Sequence, residues 1–365
     1  MKNLFKIEIP EKRNFGLDLL RFIAIFTVLV SHSVTLLPPI FQTSHLFITD
    51  GVLIFFVLSG FLIGRILIRD FQDGMNFKII VRFWKRRWFR TIPAYFFSIL
   101  LIIILSIIKV YPFEKIEVLK SLFFIQNIFF APKSFFTESW SLSIEEWFYL
   151  TMPILLFFLY IFGKTSIKRN VLIAFFIILI FSFFIRCYYF FNINIDSVTI
   201  WDNQFRKPVI TRLDSILAGV LAAWFYVFNK EQFYKLRNIL FIVGLSFFLA
   251  HKIYADYFLT IFGFYQSVVY LFFIPLAVAL MIPKIYYIKE ASSKFLSKCI
   301  SIGSLTSYSL YLLNSTIVMG FILHPMILDP YLKFILFWII CILGSILMYK
   351  YVELPFMMFR DKKVI

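Results

Sequence analysis

The sequence predicts an all-α fold, a polytopic transmembrane helix bundle of about ten spans with both termini cytoplasmic, and three observations carry that expectation. The 365 residues are 61% hydrophobic and only 16% charged, against about a quarter charged in ordinary soluble domains. Mean hydropathy is +0.87. Apolar runs of about 17–25 residues, the length that crosses a bilayer, recur along the whole chain. Positive charge alternates between the intervening loops: counting most residues at span ends with the side they adjoin, 25 of the 37 Lys and Arg fall in the N-terminus, alternate loops and C-terminus on one side, 8 on the other side and 4 within spans. Such an excess marks the cytoplasmic face.

The spans are read at 17–37, 52–69, 92–110, 144–163, 170–187, 211–228, 237–252, 258–282, 303–324 and 333–352, with 237–252 the weakest. The first run carries Arg21, is long enough to span and has no small-residue cleavage site behind it, so a membrane anchor is expected and not a signal peptide. The longest intervening segments are 111–143, on the outer side, and 70–91, on the inner side. No segment outside the spans exceeds about 35 residues, too few for a second soluble domain. Residues 1–365 are therefore expected to form one transmembrane domain. Within 111–143, the stretch VLKSLFFIQNIFFAP suits a short helix lying along the interface.

A net charge of +17 reads as a topology signal and an affinity for anionic membrane lipids. The basic clusters border spans instead of forming a separate domain, so no nucleic-acid partner is expected. Cys187, Cys299 and Cys341 are odd in number and scattered, which supports neither a disulfide framework nor a metal cluster; they read as small buried residues, and no metal is expected. His45, His251 and His324 are isolated near span ends, where an imidazole needs no special explanation.

Arg21 and His32 are the most informative pair. Eleven residues apart in LDLLRFIAIFTVLVSHS, they point from one helix face roughly 16 Å apart along the axis. An ionisable residue at membrane depth needs a partner, a water-filled cavity or a role. Alone, the Arg could snorkel to the interface and the His could be a bundle hydrogen bond. A second cluster lies in VRFWKRRWFRTIPAY, where Arg82, Lys85, Arg86, Arg87 and Arg90 crowd together. Arg87 and Arg90 are three apart, so on a helix both guanidinium groups share a side and suit a cytoplasmic phosphate-bearing ligand. The competing reading is a topology-fixing basic loop.

In TESWSLSIEEWFYL, Glu138, Trp140, Ser141, Glu145, Glu146 and Tyr149 gather at the mouth of the fourth span. Glu145 and Tyr149 share a face, Ser141 or Ser143 could cap the helix, and acidic residues suit its first turn. Capping explains one Glu, less easily two, and not Trp140. Arg212 and Asp214 enter the sixth span, Asn314 lies mid-span, and Glu353 with Pro355 closes the last span. Each reads as an intramembrane ion pair or helix-to-helix hydrogen bond, worth about 1 kcal/mol.

Taken in order, LDLLRFIAIFTVLVSH, GVLIFFVLSGFLIGRIL, RRWFRTIPAY, WSLSIEEWFYL, RLDSILAGVLAA, SYSLYLLN and VELPF resemble the integral-membrane acyltransferase 3 family across nearly the whole chain. The resemblance implies acyl transfer, often of acetyl, from coenzyme A to cell-envelope carbohydrates. The family's Arg-ten-residues-His motif falls on Arg21 and His32, its paired arginines on Arg87 and Arg90, and its Trp-Ser-Leu to Glu to Tyr motif on Trp140, Ser141, Leu142, Glu145 and Tyr149. Leu53 stands where members often carry a polar or acidic residue, and Asn314 where many carry a histidine.

The expected division of labour follows. An acyl-CoA donor, acetyl-CoA by resemblance, docks from the cytoplasm on Arg21, Arg87 and Arg90. His32 acts as general base on an acceptor hydroxyl delivered from outside, or as an acyl carrier. Glu145 orients His32 or the acceptor, Trp140 offers a face to a sugar ring, and Ser141, Tyr149, Arg212 and Asp214 are further candidate contacts to a carbohydrate or lipid-linked glycan. The expected location is a bacterial inner (plasma) membrane. A transporter or flippase for a lipid-linked sugar or anionic solute is the alternative, but the internal repeats and Gly/Pro-broken paired spans that mark many transporters are not evident.

Overall fold

The computed structural model describes residues 7–10, 13–38, 41, 51–72, 74–131, 135–163, 165–258 and 263–363. His45 and part of the predicted 258–282 span lie outside them. Among the described residues every regular element is helical. The helices are α1 (Phe15–Val34), α2 (Gly51–Phe71), α3 (Phe77–Ile108), α4 (Lys115–Leu122), α5 (Trp140–Gly163), α6 (Ile167–Asn192), α7 (Val198–Trp201), α8 (Asp214–Phe228), α9 (Lys230–Lys235), α10 (Arg237–Phe258), α11 (Tyr270–Tyr286), α12 (Lys294–Leu313), α13 (Pro330–Met348) and α14 (Leu354–Lys363).

Four segments wind with the wider π pitch: Asp202–Arg206 after α7, Tyr265–Val269 before α11, Asn314–Leu323 extending α12, and Tyr349–Glu353 joining α13 to α14. Eight helical segments are long and apolar enough to cross a membrane. They are Phe15–Val34, Gly51–Phe71, Phe77–Ile108, Thr137–Gly163, Ile167–Asn192, Tyr265–Tyr286, Lys294–Leu323 and Pro330–Lys362. Asp214–Phe228 and Arg237–His251 are apolar but shorter. The first of these, at 15 residues, rises only about 22 Å, less than the ~30 Å hydrocarbon core. The protein is an integral membrane protein.

Two boundaries differ from the hydropathy reading in ways that matter for the site. The predicted inner loop 70–91 is helical from Phe77, so the arginine cluster is the first half of one 32-residue helix, α3, capped by the Asn76 side chain accepting from the Lys78 N–H. The charges lowered the apolarity of a segment that is nonetheless continuous helix. Within 111–143, the helix is the eight residues of α4, which starts before the predicted stretch and overlaps it only at 118–122.

Helix α1 runs from an end marked by Arg13 to an end marked by His32. Asn14 caps it by accepting from the Leu17 N–H and donates to the Tyr286 carbonyl at 2.9 Å, tying its start to the end of α11. Helix α12 starts at the same end, since Ser304 donates to Asp18 at 2.7 Å, and its π extension reaches the His32 end through Asn314. Helices α2 and α8 touch backbone to backbone. A Cβ at Gly60 would lie 2.0 Å from the Ile216 carbonyl oxygen, and one at Gly219 2.0 Å from that of Val57, the small-residue packing by which membrane helices approach closely. That seam fixes α2 and, with it, Ser59.

Candidate active site

A cleft of about 100 Å³ opens between α1, α2, α3, α5 and α12, and Arg21, Arg87 and Arg90 line it together with Glu145 and Tyr149. Residues far apart in the chain meet here for distinct local reasons. Arg87 and Arg90 share a side of α3 because they are three apart. Arg21 is held from α1 by Asp18, whose carboxylate lies 3.8 Å from its guanidinium and also receives Arg13 Nε at 2.7 Å and the Ser304 hydroxyl. Arg87 faces the Phe83 and Tyr149 rings at 5.9 and 5.8 Å. Neither the Arg87 nor the Arg90 guanidinium makes a hydrogen bond or ion pair to a described residue, although the Arg87 carbonyl accepts from Thr91 at 3.3 Å. Two half-buried guanidinium groups without such a partner, beside a third at one cleft, form an anion site able to grip phosphate oxygens bidentately.

The opposite wall carries a polar cluster. Glu145 accepts from the Tyr149 hydroxyl, one helical turn on, and from Ser59 at 3.0 Å across α2. Glu146, on the next face, accepts from Thr91 at 2.9 Å, and the Tyr308 hydroxyl donates to the Thr91 carbonyl at 3.0 Å. Trp84 donates its indole N–H to the Tyr149 carbonyl at 2.9 Å. Helices α3, α5 and α12 are thus cross-linked around the arginines. Ser141 also lines the cleft; it donates to the Tyr311 hydroxyl at 2.7 Å, which donates in turn to the Glu138 carbonyl at 2.9 Å. Neither Ser141 nor Ser143 caps α5: the Ser143 hydroxyl turns back to the Ser139 carbonyl.

His32 stands outside the cleft lining. Its Nδ1 meets Oδ1 of Asn314, at the point where α12 passes from α to π pitch. The Asn314 amide donates to the Leu310 carbonyl at 3.0 Å and to that of Tyr311 at 2.7 Å. Tyr311 lines the cleft, so one turn of α12 separates the histidine's partner from the arginine site. Two residues beyond Asn314, the Thr316 N–H and hydroxyl donate to the buried Glu138 carboxylate, which Thr137 also reaches at 3.1 Å. The polar partners of Glu145 are Tyr149 and Ser59, so the expected contact from Glu145 to His32 is not made; Asn314 holds that place.

Three further candidates sit differently from expectation. Trp140 is buried, edge-on to Phe56 at 6.1 Å, and the Arg206 guanidinium covers its face at 4.8 Å. Arg206 is paired with Asp202 at 2.7 Å, and Lys207 joins them. Burial would raise the Asp202 carboxyl pKa, but Arg206 and Lys207 outweigh it and hold the group below its ordinary value. Arg212 and Asp214 are fully buried and do not line the cleft. Asp214 pairs with Arg186 at 2.6 Å, and Arg186 also donates to the Thr211 carbonyl at 2.7 Å. Their burial leaves neither Arg212 nor Asp214 placed to touch a ligand in this cleft.

Sequence reasoning singled out neither Arg186 nor Ser59. Arg186 carried the same signal as Arg21, an ionisable residue inside a predicted span. Among the described residues no group of three His, Cys, Asp or Glu is arranged to hold a metal ion. Of the cysteines, only Cys341 is buried; Cys187 is half-buried and Cys299 exposed, a correction to the expectation for all three. His251 bonds the Tyr265 hydroxyl and stacks on Tyr270, an aromatic packing role.

The chain is 28% identical over 374 aligned positions to the O-acetyltransferase OatA of Staphylococcus aureus (strain NCTC 8325 / PS 47), which covers 93% of this chain and 56% of the relative. It is 36% identical over 122 positions to the peptidoglycan O-acetyltransferase OatA of Listeria monocytogenes serovar 1/2a, covering 28% of this chain and 19% of that protein. The chain thus spans about half the length of the first of these relatives. No solved structure matches it. The sequence profile of an acyltransferase domain matches residues 14–350, a stretch that holds every side chain of the cleft together with His32 and Asn314, and the chain belongs to the acyltransferase 3 family.

Proposed function

We propose that this protein is a membrane O-acetyltransferase, taking an acyl group from acyl-CoA, acetyl-CoA in the first instance, and passing it to a hydroxyl of a cell-envelope carbohydrate. The observation that carries the reading is the convergence of Arg21, Arg87 and Arg90 on one cleft, with two of the three guanidinium groups unpaired among the described residues. Coenzyme A presents several phosphate oxygens, the chemistry such a site recognises. The names of the relatives favour acetyl as the group moved and peptidoglycan as the first acceptor to try. In this reading His32 takes the proton of the acceptor hydroxyl as it attacks the thioester carbonyl, and the thiolate of coenzyme A leaves. Glu145 acts on the donor side, holding Tyr149 against Arg87.

Replacing Arg87 or Arg90 with Ala is expected to weaken acyl-CoA binding by roughly 1.5–3 kcal/mol, the worth of a charge-assisted hydrogen bond. Calorimetric titration of the purified protein with acetyl-CoA checks it. An unchanged affinity in the double variant would return the cluster to topology and lipid contact.

The same reading needs the arginine end to face the cytoplasm, where acyl-CoA is found, so we place both termini inside with about ten crossings of a single domain, in a bacterial plasma membrane. The 25 to 8 charge asymmetry supports this orientation. Single cysteines placed in 111–131 are expected to label from outside, and cysteines in 72–76 only after permeabilisation. Labelling of both from one side would overturn the topology.

A further inference from the structure

We propose that Asn314 is a positioning residue that fixes His32 as its Nδ1–H tautomer, leaving Nε2 as the atom that accepts the proton; the proposal deepens the reading of His32 as the base. The argument is one of hydrogen-bond inventory. A side-chain amide has one end that only donates and one that only accepts. Both backbone neighbours of the Asn314 amide, the carbonyls of Leu310 and Tyr311, are pure acceptors, so the NH₂ group must face them. The opposite orientation would set an amide oxygen against two carbonyl oxygens in a site with no exposure. Oδ1 is therefore the atom turned to His32.

An oxygen that can only accept requires a donor, so Nδ1 must carry the proton. In the neutral imidazole the other nitrogen is then the free lone pair. A catalytic imidazole commonly depends on such a partner to set its tautomer and ring orientation. The backbone supplies the anchor. Asn314 stands at the α-to-π junction of α12, and its two donated bonds lock the amide to the same helix whose Tyr311 lines the arginine cleft. The ring is thereby referenced to the donor site and not only to its own helix. An amide does this without adding charge beside the imidazole.

The test reads the tautomer directly. Full-length protein labelled with ¹⁵N-histidine in lipid nanodiscs is examined at mildly alkaline pH, and the His32→Gln variant identifies the His32 signals. The expected result is Nδ1 in the protonated, pyrrole-like range and Nε2 in the unprotonated, pyridine-like range. In Asn314→Leu, which has no acceptor, the His32 signals are expected to move toward the Nε2–H form. In Asn314→Asp, which keeps an oxygen in place, the Nδ1–H form is expected to persist.

Transfer activity should follow the same order. Asn314→Leu should lower kcat at least about 10-fold, and by no more than the roughly 10⁴-fold of losing a base outright, with KM for acyl-CoA unchanged; Asn314→Asp should recover part of it. A wild-type His32 in the Nε2–H form, or an Asn314→Leu protein that folds and keeps the wild-type tautomer, would overturn the proposal. The spectroscopic result stands whether or not His32 proves to be the base, so failure of the tautomer assignment and failure of the catalytic reading are told apart.

Discussion

His32→Gln is expected to lose acyl transfer by about 10²- to 10⁴-fold, the range that a positioned general base contributes, while the protein still inserts and folds. Glutamine keeps polarity and much of the volume, and its amide can still donate to Oδ1 of Asn314. It cannot accept the acceptor's proton. His32→Ala should be equally inactive but would also leave Asn314 Oδ1 without its donor, so the glutamine variant isolates the chemistry from the packing. The measurement is acetyl transfer to purified cell-wall glycan, with hydrolysis of acetyl-CoA in the absence of acceptor as the companion assay. Loss of transfer with hydrolysis retained places His32 on the acceptor's side of the reaction. Loss of both leaves the acyl-histidine route open. Near-normal transfer would make His32 a structural hydrogen-bonding residue and move the search for the base to Glu145.

The arginine half of the site was legible in the chain because its signals are local. Arg87 and Arg90 owe their common direction to helical spacing alone, and Arg21 is conspicuous because an arginine in LDLLRFIAIF has to be compensated. The relation between His32 and Asn314 was not legible in the same way. An asparagine in mid-span advertises some hydrogen bond, but 282 residues separate it from its partner, and only the packing of α1 against α12 says which one.

Asp214 reads from the sequence as one half of an intramembrane ion pair, and its partner was hidden for the same reason. The ion pair joins Asp214 to Arg186, on α6 and 28 residues away in the chain. Hydropathy also misjudged α3. It registers the solvent a segment prefers, not its backbone, and so stopped at the arginines where the helix does not.

The largest expected loss of stability lies at that Arg186–Asp214 pair and not in the cleft. The two side chains are 1% and 0% exposed, so removing one strands a charge in an interior that cannot solvate it. Breaking a buried pair in this way typically costs about 3–5 kcal/mol. Arg186→Met should therefore lower the apparent unfolding temperature in detergent by roughly 5–10 °C, by the usual scaling of stability to midpoint, and the amount of folded protein in membranes should fall with it. The guanidinium also donates to the Thr211 carbonyl, which the variant leaves without that donor. The double variant Arg186→Met with Asp214→Leu removes both charges and replaces them with apolar volume. Because desolvating a buried pair cancels much of its attraction, the double variant should recover most of the loss, and its acetyl-CoA affinity should match the wild type, since neither residue lines the cleft that Arg21, Arg87 and Arg90 share. Heating followed by size-exclusion of the surviving folded fraction reads the first expectation, and calorimetric titration the second. A double variant as unstable as Arg186→Met would mean that the pair specifies the packing of α6 against α8 and is more than a neutralised burial. A double variant that folds but no longer binds acetyl-CoA would mean that this buried charge reaches the donor cleft through α2, which α8 grips at Gly60 and Gly219.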